Sequence, residues 1–237
     1  MTCCGRVSPS PSDPAPTFAD DIQMLKTLTL LWTASLAILA VGAWIICPHG
    51  QCTLTAFDRG GLVLAHGMRS ALLDRWMLAL TWLGSLAVVL PLTALVALLL
   101  VRQRRRREAG FLVLAVLGAA GLGHLVKLVV MRPRPDLFPV WTSMPADWSY
   151  PSAHAMQITA LAVALVFVIA RRRALWAVPL GSAVLLVGVS RLYLQVHFPS
   201  DVLAGTLAAA LWVGGLHALM FGRLPGHDSR HSNGGMG

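Results

Sequence analysis

Charge is what this sequence has least of. Charged residues fill only 12% of 237 positions, against about a quarter in an average soluble domain. Acidic residues are scarcest, with 10 Asp and Glu against 19 Lys and Arg, for a formal net charge of +9. A soluble nucleic-acid binder would spread its cations over a polar face. Here they cluster between apolar runs, which argues against that class and fits membrane topology. Cysteine is also sparse, with four residues and no zinc-like spacing. Cys3 and Cys4 lie near the start. Cys47 and Cys52 flank a P-H-G-Q turn and are either ordinary thiols or a disulfide, which requires an oxidising compartment. No internal repeat is evident. The first residues lack the basic segment, short apolar core and cleavage site of a secretory signal peptide.

Apolar sequence is abundant, at 56%. Residues 1–25 (with S-P-S-P-S-D-P-A-P) read as a disordered tail, and 223–237 as a second one. Between them lies a single membrane domain, 26–222. About 20 mainly apolar residues cross a bilayer as a helix, and six such runs occur, at 27–47, 77–101, 109–130, 154–170, 174–190 and 202–221. Soluble helices need a polar face, and these have little. The expected fold is all-α, a polytopic bundle of six transmembrane helices. Between the first two runs, Leu62, Leu64, Met68 and Leu72 form either the apolar stripe of an interfacial helix or part of a solvated loop. The clusters Arg102/Arg104–Arg107 and Arg171–Arg173 predict cytoplasmic loops on the same side as both termini. Loops 48–76, 131–153 and 191–201 then share the extracytoplasmic face.

Three polar pieces sit in or beside those outer loops: K-L-V-V-M-R-P-R-P (Lys127–Pro135), Y-P-S-A-H (Tyr150–His154) and S-R-L-Y-L-Q-V-H-F-P-S-D (Ser190–Asp201). Polar residues at the mouths of membrane spans call for a functional reason. Pro133 and Pro135 stiffen the first piece. Arg presents a planar fork to phosphate oxygens, and Lys a compact point charge. Any one of these cations alone reads more simply as snorkelling to headgroups; together they predict an anion site. Ser152 suits a helix N-cap, where free N–H groups favour an anion, with His154 in the first turn. His197 and Asp201 are four residues apart, so the carboxylate can fix the tautomer of the imidazole.

These pieces, K-x6-R-P, P-S-x-H and S-R-x5-H-x3-D, resemble the three-part pattern of the type 2 phosphatidic acid phosphatase family. Ala153 stands where that pattern usually has glycine. The resemblance implies that His197 is the nucleophile that forms a phosphohistidine, oriented by Asp201, with His154 protonating the leaving group. It implies that Lys127, Arg134, Arg191, Ser152 and the Ala153 amide hold the phosphoryl oxygens, with no metal and no cofactor. Arg132 and Asp136 fall outside the core motif, and His124 and His217 read as packed or hydrogen-bonded. The expected activity is hydrolysis of a phosphatidate-like or polyprenyl diphosphate lipid at the membrane, with no nucleic-acid partner. The competing expectation is a non-enzymatic anion-binding membrane protein or inactive relative, which would need the cations but neither histidine. A haloperoxidase relative would be soluble, against the six apolar runs.

Overall fold

The computed structural model describes residues 18–139, 143–169 and 173–221. The expected tails lie largely outside these residues, as do Arg171 and Arg172. Among the described residues every regular element is a helix, with α1 Phe18–Ile46, α2 Ala56–Gly67, α3 Ala71–Thr81, α4 Leu86–Arg102, α5 Arg106–Val130, α6 Ala153–Val168, α7 Arg173–Tyr193 and α8 Pro199–Phe221. α1 starts eight residues before the expected domain boundary at 26.

Helix α6 is the axis of the bundle and packs on α5, α7 and α8. Every residue from Ala155 to Ala162 is buried, which is why this helix is apolar on nearly every side, with Gln157 and Thr159 the polar exceptions in that stretch. Outer helices show apolar side chains instead; Val129 on α5 and Val178 on α7 are each 71% exposed. Such surface is a liability in water but suits lipid. Helix pairs in lipid gain mainly from close packing, and α8 uses it: a Cβ on Gly205 would meet Ser152 O at 3.0 Å. Trp212 on α8 also donates to Ala115 O of α5 at 3.1 Å.

Two expectations need correction. The apolar run 77–101 is not one helix. Ser85 leaves the helical conformation (ψ 148) after a short turn at Trp82–Gly84, and α3 with its turn meets α4 at a bend of 47°. Gly84 allows that turn to close on α6, since a Cβ there would meet His154 Cβ and O at 3.0 Å. The stretch after the first run forms two helices rather than one striped element, because Ser70 caps α3 by accepting from Leu73 N. Leu62 is buried against the bundle, whereas Leu64 is 66% exposed. By length and composition, three described helices suffice to cross a membrane (α5, α7 from Leu175, and α8), or four with the bent pair. The apolar parts of α1 (Trp32–Ile46) and α6 are shorter.

Lys127 ends α5, Ser152 starts α6, Arg191 ends α7 and Asp201 starts α8, so the three motif pieces meet at one end of the bundle. Cys47 and Cys52 are disulfide-bonded at that end, and Cys52 lines the same surface hollow as Arg132 and Arg134. At the other end Arg105 donates to Val168 O, the last turn of α6, at 2.8 Å.

Candidate active site

His197 sits in the turn between α7 and α8 and is almost wholly buried. Gln195, at φ 58, turns the chain there, and its side-chain amide donates to Leu62 O at 3.2 Å and Leu192 O at 3.0 Å. The surroundings fix the tautomer of His197. Arg134 Nη1 lies 3.2 Å from Nε2, and a guanidinium only donates, so Nε2 accepts and the proton is on Nδ1. Ser149 agrees with that assignment. Its hydroxyl proton goes to Asp201 Oδ2 at 2.5 Å, so toward Nδ1, 3.4 Å away, its oxygen is the acceptor. Asp201 Oδ2 is 3.5 Å from Nδ1 and also accepts from Phe198 N at 3.0 Å. Burial, then the charges of Arg191, Arg134, Lys127 and His154, push the imidazole well below its ordinary pKa. It is therefore a free base at neutral pH, with the Nε2 lone pair facing the cations.

The cations reach that front side from three elements. Pro133 stiffens the segment after α5, and Met131 closes that helix in the left-handed conformation (φ 47). Arg134 then donates to Val196 O at 2.6 Å and Asp147 O at 2.8 Å. Lys127 donates to Trp148 O. Arg191 reaches the α3 end, donating to Thr81 Oγ1 at 2.6 Å. Asp147 bridges two of the three, with one carboxylate oxygen 2.5 Å from Arg134 Nη2 and the other 2.9 Å from Lys127 Nζ. This carboxylate presents to Lys127 and Arg134 the same two-oxygen face that a phosphoryl group would. Partial burial pushes its pKa up, but the hydrogen bonds and charges of Lys127 and Arg134 outweigh it and hold it down at about 2.

Ser152 is the N-cap residue of α6, yet its side chain does not cap the helix. Its buried Oγ finds no partner among the described residues, nor does the buried Nε of Arg191. Such orphans are uncommon in folded proteins, and both belong to the expected phosphate set. Ser152 N donates to Asp201 O at 3.1 Å, tying α6 to α8. His154 lies one residue into α6, within electrostatic reach of Arg191, Asp147, Lys127 and Arg134. Ala153 takes the first helical position. Tyr150, buried at the loop's end, donates to Leu39 O of α1 at 2.9 Å; burial and the Asp201 charge raise its pKa, keeping it neutral.

All the expected site residues thus meet at one end of the bundle, and the structure adds others behind His197. Arg132, expected outside the core set, is 1% exposed and bonded to Asp201 at 2.6 Å, Asp58 at 2.7 Å and Ser200 Oγ at 2.8 Å. Its guanidinium lies 3.9 Å from the Phe198 ring centre. Asp58, Ser149 and Asp147 were missed. One sequence signal was available: with ten acidic residues in the chain, an acid beside an apolar run is a candidate partner for a buried cation. Asp136 lies at the exposed surface near Arg134. His217 stacks on Phe167 with ring centres 3.9 Å apart, as expected, whereas His124 sits on an exposed face of α5. The two buried carboxylates by His197, Asp58 and Asp201, are engaged by Arg132, by hydroxyls and by backbone N–H groups, so their donor set is that of a salt-bridge network.

Comparison with known proteins matches this arrangement. The PAP2 superfamily model matches residues 108–225, which contain all three motif pieces. The chain is 36% identical over 186 residues to an undecaprenyl-diphosphatase of Sulfolobus acidocaldarius, covering 77% of this chain and 86% of that one. Phosphatidylglycerophosphatase B of Bacillus subtilis is 29% identical over 146 residues, covering 58% of this chain and 70% of its own length. The crystal structure of a transmembrane PAP2-type phosphatidylglycerolphosphate phosphatase from Bacillus subtilis shares the fold, with a TM-score of 0.69 over 79% of this chain and 94% of that one at 22% identity. From the motif-bearing helix ends to the extent of the relatives matched, the chain belongs to the PAP2 superfamily.

Proposed function

We propose that this PAP2-superfamily phosphoric ester hydrolase cleaves the terminal phosphate of a membrane lipid, a polyprenyl diphosphate or a phosphatidate-like monoester, through a phosphohistidine. One observation carries the reading: the His197 lone pair at Nε2 faces the cations while Nδ1–H is backed by Asp201 and Ser149. In the first step Nε2 attacks phosphorus and a P–N bond forms. The P–O bond to the lipid breaks, its electron pair stays on the leaving oxygen, and His154, which takes up a proton once the bound phosphate's negative charge offsets Arg191, Lys127 and Arg134, gives that proton to the oxygen. Lys127, Arg134 and Arg191, with Ser152 Oγ and the Ala153 amide, hold the non-bridging oxygens and oppose the charge of the transition state. In the second step neutral His154 takes a proton from water. The water oxygen bonds to phosphorus, and the P–N pair returns to His197. These residues supply the acid, the nucleophile and the counter-charge, so the reading has no metal or cofactor.

The six-span reading belongs to the same proposal. α1, α4, α5, α6, α7 and α8 would each cross the bilayer, with both termini and the arginine loops cytoplasmic. The Cys47–Cys52 disulfide at the motif end supports an oxidising, extracytoplasmic face for the site.

The test is phosphate release from a panel of purified lipids, namely a polyprenyl diphosphate, phosphatidate and phosphatidylglycerophosphate, in detergent with and without EDTA. Wild type should release phosphate from at least one lipid in EDTA, vanadate should inhibit as an analogue of five-coordinate phosphorus, and His197→Ala should lose roughly 10⁴-fold or more. A wild type that binds lipid phosphate and releases none would make the protein a binder. Activity lost in EDTA and restored by magnesium would end the metal-free mechanism.

A further inference from the structure

Behind His197, three charged groups from distant parts of the chain form one buried row. Asp58 stands on α2, Arg132 follows α5, and Asp201 is in the first turn of α8; all are almost wholly buried. Arg132 gives Nη2 to Asp58 at 2.7 Å and Nη1 to Asp201 at 2.6 Å. Asp58 is itself held, since its two oxygens accept from Ser200 N and Ser200 Oγ, each at 2.9 Å. Thr55 caps α2 by accepting from Asp58 N at 3.1 Å, which fixes the backbone that carries the carboxylate. One oxygen of Asp201 faces Arg132, leaving the other for Ser149, Phe198 N and His197. With both carboxylates ionised, two negative charges share one positive charge, and the row carries −1.

That charge matters for the imidazole. When Nε2 bonds to phosphorus while Nδ1 keeps its proton, the ring acquires a positive charge. Arg134, Arg191, Lys127 and His154 face the ring from the front and none is negative; half-exposed Asp147 is paired with two of them. Asp201 alone would be neutralised by Arg132. We propose that Asp58 is a positioning residue of the reaction: through Arg132 it seats Asp201 behind His197, and its charge leaves the row with the surplus that balances the phosphorylated ring. The inference rests on His197 being the nucleophile.

The test uses the full-length chain in detergent, with p-nitrophenyl phosphate and the best lipid of the panel. Asp58→Asn keeps the shape and removes the charge. It should lower kcat about 10- to 100-fold, as misplacement of reacting groups does, with the inhibition constant for inorganic phosphate changed less than twofold. The acid limb of its kcat/KM profile should move down by about one pH unit, because a ring deprived of negative charge is harder to protonate. The double variant Asp58→Asn/Arg132→Met leaves Asp201 as the row's sole charge and should return the limb toward its wild-type position while kcat stays low. A purely structural Asp58 would lower thermal stability and leave kcat per folded molecule and the limb unmoved; that result overturns the proposal. Should Asp58→Asn fail to fold, Ser200→Ala carries the test. It removes two contacts of the row without altering charge and should lower kcat severalfold with the limb in place; an unchanged kcat overturns the proposal. His197→Ala is assayed alongside. If it is as active as wild type, the nucleophile assignment has failed; if it is inactive while Asp58→Asn matches wild type, only the role of Asp58 has failed.

Discussion

Arg132 and Arg134 stand two residues apart in one M-R-P-R-P stretch, and the fold gives them opposite surroundings. Arg132 lies behind His197, buried between two carboxylates with a hydroxyl and an aromatic ring for company. Arg134 lies in front, held by two backbone carbonyls and the half-exposed carboxylate of Asp147. A buried guanidinium with two buried anionic partners is fixed, since removing any member strands a charge. Arg134 is nearly buried, but the Asp147 carboxylate it pairs with is 53% exposed, so another anion can reach that carboxylate's place from solvent. The site thus has a rigid back and a more exchangeable front; under the proposed function the back aims the imidazole and the front takes the phosphate. Pro133 between the two arginines, with its fixed φ, helps send their side chains to different places.

The largest contrast between the two sides should appear with the leaving group. A lipid alkoxide needs a proton as it departs, whereas p-nitrophenolate does not. Under conditions where phosphoenzyme formation limits the rate, His154→Ala should lose about 10²–10⁴-fold on an alkyl phosphate and far less on p-nitrophenyl phosphate. A back-side change such as Arg132→Lys should depress both substrates by the same factor. Equal losses for His154→Ala would move that residue from acid to phosphate ligand.

A smaller effect separates the two arginines by stability. Arg132→Met leaves two buried carboxylates unpaired and should cost about 3–5 kcal/mol, visible as a lower unfolding temperature. Arg134→Met should unfold within a few degrees of wild type while phosphate binds about 10- to 100-fold more weakly, at about 1.5–3 kcal/mol for a charged hydrogen bond. The reverse order of stabilities would exchange the back and front roles.

The smallest effect concerns Asp147. If its carboxylate competes with phosphate for Lys127 and Arg134, Asp147→Asn should tighten inhibition by phosphate and vanadate about threefold to tenfold. Acid should not mimic that change. A carboxyl held at about 2 stays ionised down to pH 4, and the stability it contributes is present above the ordinary carboxylate value and lost only as pH falls toward 2. Weaker inhibition in Asp147→Asn would show that the carboxylate orients the cations and does not compete for them.

The front of the site was legible in the sequence because its residues follow local spacing at helix ends. Lys127, Ser152, His154 and Arg191 each sit within a turn or so of where an apolar run stops, and the His197–Asp201 pair was legible from its four-residue spacing. The rest of the back was not. Asp58 meets Arg132 across 74 positions and Arg132 meets Asp201 across 69, and no periodicity links them. A lone Asp in the mixed stretch between two apolar runs reads as part of a polar face. The bend at Ser85 was hidden for a related reason: hydropathy runs unbroken from Trp76 to Val101, and a change of backbone direction leaves no mark on it. Its use emerges only in three dimensions, where Thr81 meets Arg191.

The row Asp58–Arg132–Asp201 also has an order in time. Asp58 leaves the ribosome first, Arg132 follows after α4 and α5, and Asp201 comes with α8, the last described helix. Until α8 arrives, Arg132 lacks Asp201, and Asp58 lacks the amide and hydroxyl of Ser200 that hold it. A chain stopped after α7 therefore has an Arg132 without one of its two carboxylates and an Asp58 without the Ser200 donors. The arrival of α8 supplies in one step the carboxylate that both pairs with Arg132 and backs His197, so under the proposed function the chain gains its full charge pairing and its working nucleophile together.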